Sequence, residues 1–187
     1  MGTRYDALEP HFIKFIEKQH IFFCGTAAND GRVNVSPKGK DSLRVLSPNR
    51  ILWRNLTGSG NETASHLDDT NRMTLMWCSF DRPLMILRCY GTARAIHRND
   101  DEWQELNALF EPTHAARQIF DMDIELVQRS CGFAVPKMEF VEENVALTSF
   151  TDRLGEDGVQ DYWVEKNSLT IDGKPTHIAK RNLASET

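Results

Sequence analysis

The sequence predicts a mainly β domain with peripheral helices (α+β), built on an antiparallel β-barrel. At least six strand-like runs are joined mostly by short turns, and helical patterns lie before, between and after them. The regular alternation of strand and helix that is typical of a parallel sheet is missing. A barrel suits such a set of antiparallel strands, because closure removes exposed strand edges.

The length of the chain suits a single domain. It has 187 residues, and domains commonly contain about 100–200. We expect an N-terminal helix over residues 1–19, because the apolar residues of this stretch fall on one side of a helix. The barrel with its inserted helices is predicted over 20–150, and a C-terminal helix and tail over 151–187.

Turn signals divide the first half of the chain into strands. Residues 29–31 (Asn-Asp-Gly) predict a β-hairpin turn, and Pro37 ends the next strand or places it at a sheet edge. Residues 47–49 (Ser-Pro-Asn) form a second turn, and a helix is expected to begin near Glu62. The strands predicted here are 20–28, 33–37, 43–46 and 51–56.

The second half mixes strands with helices. Gly91 predicts a bend or bulge in a long strand, and residues 99–101 (Asn-Asp-Asp) cap a helix that runs to Phe110. Further helices are expected over 114–127 and 155–167. The strands predicted in this half are 72–80, 84–97, 131–135 and 138–141.

Composition and charge exclude several classes of protein. The formal net charge is −5, so the basic surface expected of a nucleic-acid-binding protein is absent. No apolar run approaches the roughly 18 residues of a membrane span. The first twenty residues carry charges throughout and do not form a secretory signal. We therefore expect a cytoplasmic protein that binds neither nucleic acid nor membrane.

The cysteines and histidines predict neither disulfides nor a metal site. No C-x-x-C pair and no zinc-type histidine spacing is present. Apolar, strand-like surroundings favour buried free thiols in a reducing compartment. The four cysteines are Cys24, Cys78, Cys89 and Cys131.

Residues 58–63 (GSGNET) form a candidate phosphate-binding turn. They follow a strand and begin a helix, where backbone N–H groups are unpaired and partly positive. Glycine lets that backbone approach a ligand, and Asn61 and Thr63 add side-chain donors. The turn is neither a Walker loop nor a dinucleotide fingerprint. An ordinary capped turn is the alternative interpretation.

Five consecutive runs resemble the pyridoxamine 5'-phosphate oxidase-like family of FMN-binding split barrels. They read FFCGTAA, VNVSPKG, LWRNLTGSGNETASHL, RMTLMWCSF and LMILRCYGTARAI. The resemblance covers about residues 19–97. The segments 130–136 (SCGFAVP) and 162–167 (YWVEKN) resemble a poorly characterised branch of the same family.

The resemblance implies a six-stranded antiparallel split barrel that forms a homodimer, with two FMN sites at the subunit interface. It places eleven residues beside the cofactor. Along the flavin lie Val35, Ser36, Pro37 and Lys38; towards the ring and ribityl chain lie Trp53, Arg54 and Asn55; and at the phosphate lie Gly60, Asn61, Glu62 and Thr63.

The residues at the predicted phosphate-binding position differ from the family pattern. The oxidases carry an Arg-Lys pair there, whereas this chain has Asn61, Glu62 and Thr63. Glu62 can contribute only its backbone N–H, so Lys38 or Arg54 has to supply the positive charge. We expect Arg54 to pair with the phosphate and Lys38 to lie nearer the ring.

Arg88 stands in a strand that looks buried, where an unpaired charge is costly. It requires a partner such as the FMN phosphate or an acid across the dimer. A position facing solvent is the alternative, in which Arg88 has no role in binding.

The expected activity is that of an FMN-dependent oxidoreductase acting on an unidentified small molecule. A non-catalytic flavin-binding or sensing dimer is the alternative, and a deazaflavin- or haem-binding member of the same barrel is a third. No acid/base pair is evident, so no catalytic residue is predicted. Oxidation of pyridoxamine 5'-phosphate is less favoured, because residues 106–114 lack the arginines with which the oxidases hold that substrate.

Overall fold

The structure is a computed structural model that describes residues 2–39 and 41–183. Within these residues the chain forms eight strands and five helices. The strands are β1 (Thr3–Tyr5), β2 (Phe22–Thr26), β3 (Asn34–Lys38), β4 (Leu43–Ser47), β5 (Arg50–Leu56), β6 (Arg72–Cys78), β7 (Met85–Ile96) and β8 (Ala116–Cys131). The helices are α1 (Pro10–Ile16), α2 (Glu62–Thr70), α3 (Trp103–Asn107), α4 (Ala146–Asn167) and α5 (Ile178–Asn182).

The strands form one antiparallel sheet in the order β3-β2-β6-β7-β8-β5-β4, and β1 also pairs with β8. The predicted class, mainly antiparallel β with peripheral helices, is confirmed. The sheet has eight strands rather than six. Among the described strands, β3 and β4 end the order and do not pair with each other, so the sheet stays open between them.

The main core fills the inside of the curved sheet. Phe22, Trp53, Trp77 and Phe120 contact one another there, with ring centroids 4.8–6.0 Å apart. Residues of α1 cover one end of this core, and Ala64 and Leu67 of α2 pack into it. Burial of these large apolar side chains is the main source of stability for the sheet.

The helix predicted over 114–127 is wrong, because these residues belong mostly to β8. This strand of 16 residues pairs with β7 along one edge and with β5 along the other. Phe120 and Met122 pack into the main core, whereas Ile119 packs into a second cluster under α3. Both faces of the strand are therefore buried, which removes the alternation that marks a strand.

The strands predicted over 131–135 and 138–141 are also wrong. Residues 132–145 form an irregular segment between β8 and α4. Its apolar residues suggested strands, yet Phe133 and Val141 are 80 % and 86 % exposed. The segment lies against the barrel where the N–H of Met138 donates to Phe80 O at 3.2 Å and Phe140 stacks on His20.

Both terminal helices differ from their predicted bounds. The first covers only residues 10–16, with Pro10 in its first turn, where a missing N–H costs nothing. Residues 3–5 pair with β8 instead. The last long helix begins at Ala146 rather than at the predicted 155, and it kinks at Gly155, whose φ of 66° suits glycine.

The four cysteines are free thiols, but only Cys24 and Cys89 are buried. Cys78 is half-buried and Cys131 is exposed, so the expectation of four buried thiols is wrong for these two. No helix in the described part of the chain has the length and apolar character needed to cross a bilayer.

Candidate functional site

A groove of about 650 Å³ lies along β3, at one open end of the sheet. It is bordered by β3, by the end of β5, and by residues 57–61, which connect β5 to α2; we call these residues the β5–α2 loop. Arg117 of β8 and Leu147 of α4 complete its wall. Every predicted site residue except Arg88 lines this groove.

Asn61 occupies the N-cap position of α2 with both polar atoms of its amide free. The residue is 2 % exposed, and neither Nδ2 nor Oδ1 has a hydrogen-bond partner. Buried amides are usually paired, because leaving one unpaired costs about 1–3 kcal/mol. A polar ligand at the start of α2 would satisfy this side chain.

Thr63 is buried in the first turn of α2 and is contacted from two sides. Its Oγ1 lies 3.5 Å from Thr26 Oγ1 and 3.4 Å from the amide nitrogen of Asn34. Asn34 begins β3, so this contact ties the helix to the opposite wall of the groove. Both distances are long for hydrogen bonds, so the hydroxyl is weakly engaged.

The carboxylate of Glu62 lies at the edge of the groove, beside Gly60. Both oxygens accept the backbone N–H of Ile171, at 3.2 and 3.3 Å. Among the described residues that line the groove, Glu62 is the one carboxylate. An anion at the start of α2 therefore meets backbone N–H groups and, beside Gly60, a negative charge that a nearby cation has to offset.

Arg117 is a buried cation at the β5–α2 loop. Its side chain is 2 % exposed, and its Nη1 donates to Gly60 O at 3.0 Å and to Asn167 Oδ1 at 2.5 Å. Its Nε has no partner. Burial lowers the pKa of Arg117 to about 9, and no carboxylate among the described residues pairs with it. Such a charge is stabilised by an anionic ligand.

Lys38 brings a second cation into the same groove. Its Nζ lies 5.2 Å from the centre of the Trp53 ring, which suits a cation–π contact. Burial, and then the neighbouring Arg117, hold the pKa of Lys38 below its usual value. Two neighbouring buried cations favour the binding of an anion between them.

Comparisons with known proteins give the family. The family model described as pyridoxamine 5'-phosphate oxidase matches residues 8–131. The chain belongs to the pyridoxamine 5'-phosphate oxidase family. The resemblance seen in the sequence is thereby confirmed.

A curated relative and two solved structures illustrate the membership. The pyridoxamine 5'-phosphate oxidase family protein ustO of Aspergillus flavus is 34 % identical over 201 residues, covering 97 % of this chain and 81 % of ustO. A candidate pyridoxamine 5'-phosphate oxidase of Lactobacillus delbrueckii shares the fold, with a TM-score of 0.53 and 21 % identity over 66 % of this chain and 94 % of that one.

The second structure is a histidine-to-alanine variant of HupZ from Group A Streptococcus. It superposes with a TM-score of 0.52 and 16 % identity, covering 65 % of this chain and 98 % of that one. At these identities both structures are evidence for the fold alone.

The family model ends at Cys131, yet residues beyond it hold the groove together. Asn167 of α4 accepts from Arg117 through Oδ1 and donates from Nδ2 to Gly58 O at 2.9 Å. Trp163, one turn earlier, donates its indole N–H to Thr57 Oγ1 at 2.9 Å. The end of α4 therefore braces the β5–α2 loop of this family member.

Arg88 lies outside the groove. It is half-buried on β7, and its Nη1 donates to Ser130 Oγ on β8 at 3.2 Å. Within one chain it does not meet the other predicted residues, so its partner at the FMN phosphate or across a dimer stays a prediction.

The sequence analysis missed Arg117, although a signal was present. An arginine inside the largely apolar run ARQIF raises the same question of a partner that was asked of Arg88. The incorrect helix over 114–127 concealed it, because an arginine on an amphipathic helix can face solvent.

Proposed function

We propose that this protein binds FMN in the groove and acts as an FMN-dependent oxidoreductase on a small molecule, as a homodimer. One observation carries the proposal. Two cations, Arg117 and Lys38, share a groove with the unpartnered amide of Asn61 at the start of a helix. A volume of about 650 Å³ suits a ligand of this size.

The phosphate of FMN fits the end of the groove at the β5–α2 loop. Free N–H groups at the start of α2, the Asn61 amide and the Thr63 hydroxyl would donate to it. Arg117 is the cation placed best for the charge, since its Nη1 already contacts Gly60 O. The sequence predicts Arg54 for this role, but its Nη1 already donates to Glu111 O and to Asn107 Oδ1, near α3.

The flavin ring fits the wall made by Trp53, Lys38 and β3. Trp53 offers an aromatic surface, and Lys38 a charge beside it. Among the described strands β3 pairs only with β2, so its outer edge keeps free N–H and C=O groups for the polar edge of a ring. When bound, FMN would supply electron and hydride transfer, while the protein supplies position and charge.

The groove argues against haem at this position. None of the described residues that line it is a histidine, cysteine, methionine or tyrosine, the side chains that ligate haem iron. The alternative of a flavin-binding or sensing protein without catalysis is stronger. Glu62 is the one carboxylate of the described lining, and both of its oxygens accept the N–H of Ile171, so no carboxylate there is free to act as a general acid or base.

The cofactor is tested by the visible spectrum of the purified protein. We expect flavin absorption, and FMN as the mass of the molecule released on denaturation. A protein that neither carries a flavin nor takes up added FMN would remove the proposal, and a Soret band would replace it with haem binding. Turnover of NAD(P)H with an added electron acceptor then separates an oxidoreductase from a binding protein.

We expect the chain to form a homodimer, because the 132–145 segment exposes several large apolar side chains. Phe133 and Val141 are largely exposed, and Val145 is 67 % exposed. The double variant Phe133→Ser, Val141→Ser should shift the molar mass in light scattering from two chains towards one.

Val164→Ser on α4 is the matched control, since Val164 is also exposed but lies outside the segment. It should leave the mass at two chains. A wild-type mass of one chain at micromolar concentration would contradict the homodimer.

A further inference from the structure

A second pair of unpartnered polar atoms lies in the groove, on the strands β4 and β5. Leu43 and Trp53 are directly opposite in the β4–β5 pair, and the N–H of Arg54 donates to Ser42 O at 2.8 Å. The ladder therefore continues by one pair, to Ser42 and Arg54. Residues opposite each other in an antiparallel pair point to the same face.

Both side chains are buried and incompletely bonded. Ser42 and Arg54 are each 4 % exposed, and both line the groove. Ser42 Oγ and Arg54 Nε have no hydrogen-bond partner. A buried donor without a partner costs about 1–3 kcal/mol, and here two of them lie on one face. Their arrangement is that of a binding site rather than a packing defect.

The guanidinium of Arg54 is held rigidly by the region of α3. Its Nη1 donates to Glu111 O at 2.8 Å and lies 3.3 Å from Asn107 Oδ1. Its planar head also stacks on Phe110, 4.8 Å from the ring centre. These contacts orient Nε before any ligand arrives, so little conformational freedom is lost when a ligand binds.

The charge of Arg54 is not neutralised by contact. No carboxylate of the described residues lies within ion-pair distance of it. The nearby Asp41 is bound by both terminal nitrogens of Arg44, at 2.6 and 2.7 Å. Arg54 therefore keeps a positive charge and a free donor, next to the hydroxyl of Ser42.

We propose that Ser42 and Arg54 form a subsite for the carboxylate of a small ligand that binds beside the flavin. Two donors on one face match the two oxygens of a carboxylate, and one donor is charged. The inference rests on the proposed function and deepens it, because it gives the substrate a chemical class. The phosphate of FMN lies at the other pair of donors, Asn61 and Arg117.

The subsite is tested with benzoate as the probe, by isothermal titration calorimetry of the purified protein. FMN content is measured separately on each sample, from the flavin released on denaturation. We expect benzoate to bind, and benzyl alcohol, which lacks the charge, to bind far more weakly. Ser42→Ala and Arg54→Gln should each lower benzoate affinity about tenfold or more, since each removes a hydrogen bond to a charged group.

Arg44→Lys is the matched control, since lysine keeps a cation beside Asp41. Arg44 stacks on the same Phe110 ring, at 4.6 Å, but its nitrogens already bind Asp41. Its replacement should leave benzoate affinity unchanged. Ser42→Ala removes only one oxygen atom, so we expect this variant to fold. It therefore still tests the subsite if Arg54→Gln fails to fold.

Three results would overturn the inference. Benzoate affinity that is unchanged in both variants would show that the pair binds no carboxylate. Loss of FMN from either variant would assign the pair to the cofactor and leave the flavin proposal standing. Inorganic phosphate that displaces benzoate at equal concentration would assign the subsite to phosphate. If the purified protein carries no flavin but still binds benzoate through Ser42, only the proposed function is wrong and the carboxylate subsite stands.

Discussion

Arg117→Gln is expected to lower the affinity of the protein for FMN by about one to two decades, the cost of a hydrogen bond to a charged group. Glutamine keeps an amide that can donate towards Gly60 O and Asn167, so the change removes the charge and leaves the loop supported. The measurement is a fluorescence titration of cofactor-free protein with FMN.

Arg98→Gln is the control for this experiment. Arg98 is also an arginine that contacts α4, where it pairs with Glu156 and stacks on Trp163 at 4.6 Å. It does not line the groove. Its replacement should leave FMN affinity within a factor of about two, since a partly exposed ion pair contributes little. Equal losses in both variants would mean that Arg117 acts through the fold.

The pH dependence gives an independent test of Arg117. Its pKa in the cofactor-free protein is about 9, so the charge is present below that pH and is lost above it. Wild-type affinity for FMN should therefore fall as pH rises through about 9. Bound phosphate favours the charged form, so the pKa in the complex is higher. Arg117→Gln should show no such fall over this range.

The same shift has a consequence for stability. Because the folded pKa lies below the ordinary value of arginine, the unfolded chain binds more protons above pH 9. Proton linkage at Arg117 should therefore increase the free energy of unfolding of the cofactor-free protein as pH rises above 9. The gain is read as the difference in urea midpoint between wild type and Arg117→Gln.

The sequence predicts the β2–β3 hairpin well, but it does not predict β8, a strand that is buried on both faces. Residues 29–31 lie in the connection 27–33 of the β2–β3 hairpin, where the chain bends and Gly31 has a φ of 92°, which suits glycine. In β8, pairing on both edges and packing on both faces override any local signal. Local chemistry decides the first case, and tertiary context the second.

The residues of the candidate site also differ in how well the sequence predicts them. Residues 33–38 and 53–63 are short runs whose order along the chain carries the family pattern. Arg117 lies 57 residues from Gly60, and Asn167 lies 109 residues from Gly58. Contacts over such separations are set by the path of β8 and α4. A single sequence does not contain that path, so these two residues could not be placed.

Trp163→Ala should destabilise the protein by about 3–5 kcal/mol, the usual cost of removing a buried tryptophan side chain. Trp163 is fully buried, and it forms a small cluster with Val159 and Ile178. Truncation leaves a cavity that this small cluster cannot easily fill. The free energy of unfolding is measured by urea denaturation, with Trp163→Phe expected to lose less because it keeps an aromatic ring.

The same variant should also weaken FMN binding, since Trp163 acts on the loop as well as on the core. Its indole N–H holds Thr57, and the helix turn it anchors carries Asn167 to Gly58 and Arg117. Without that anchor the β5–α2 loop loses its support from α4. FMN affinity should fall by about a decade, because a loosened loop must be ordered again when FMN binds.

Ile178→Ala separates the two effects. Ile178 is 1 % exposed and belongs to the same cluster, but it lies on α5 and none of the hydrogen bonds between described residues ties its side chain to the loop. Its truncation should cost about 2–5 kcal/mol of stability. FMN affinity, measured where both variants are folded, should then stay near wild type. If Ile178→Ala lowers affinity as much as Trp163→Ala, the loop responds to the packing of the whole C-terminal region, and the hydrogen bond from Trp163 to Thr57 has no separate role.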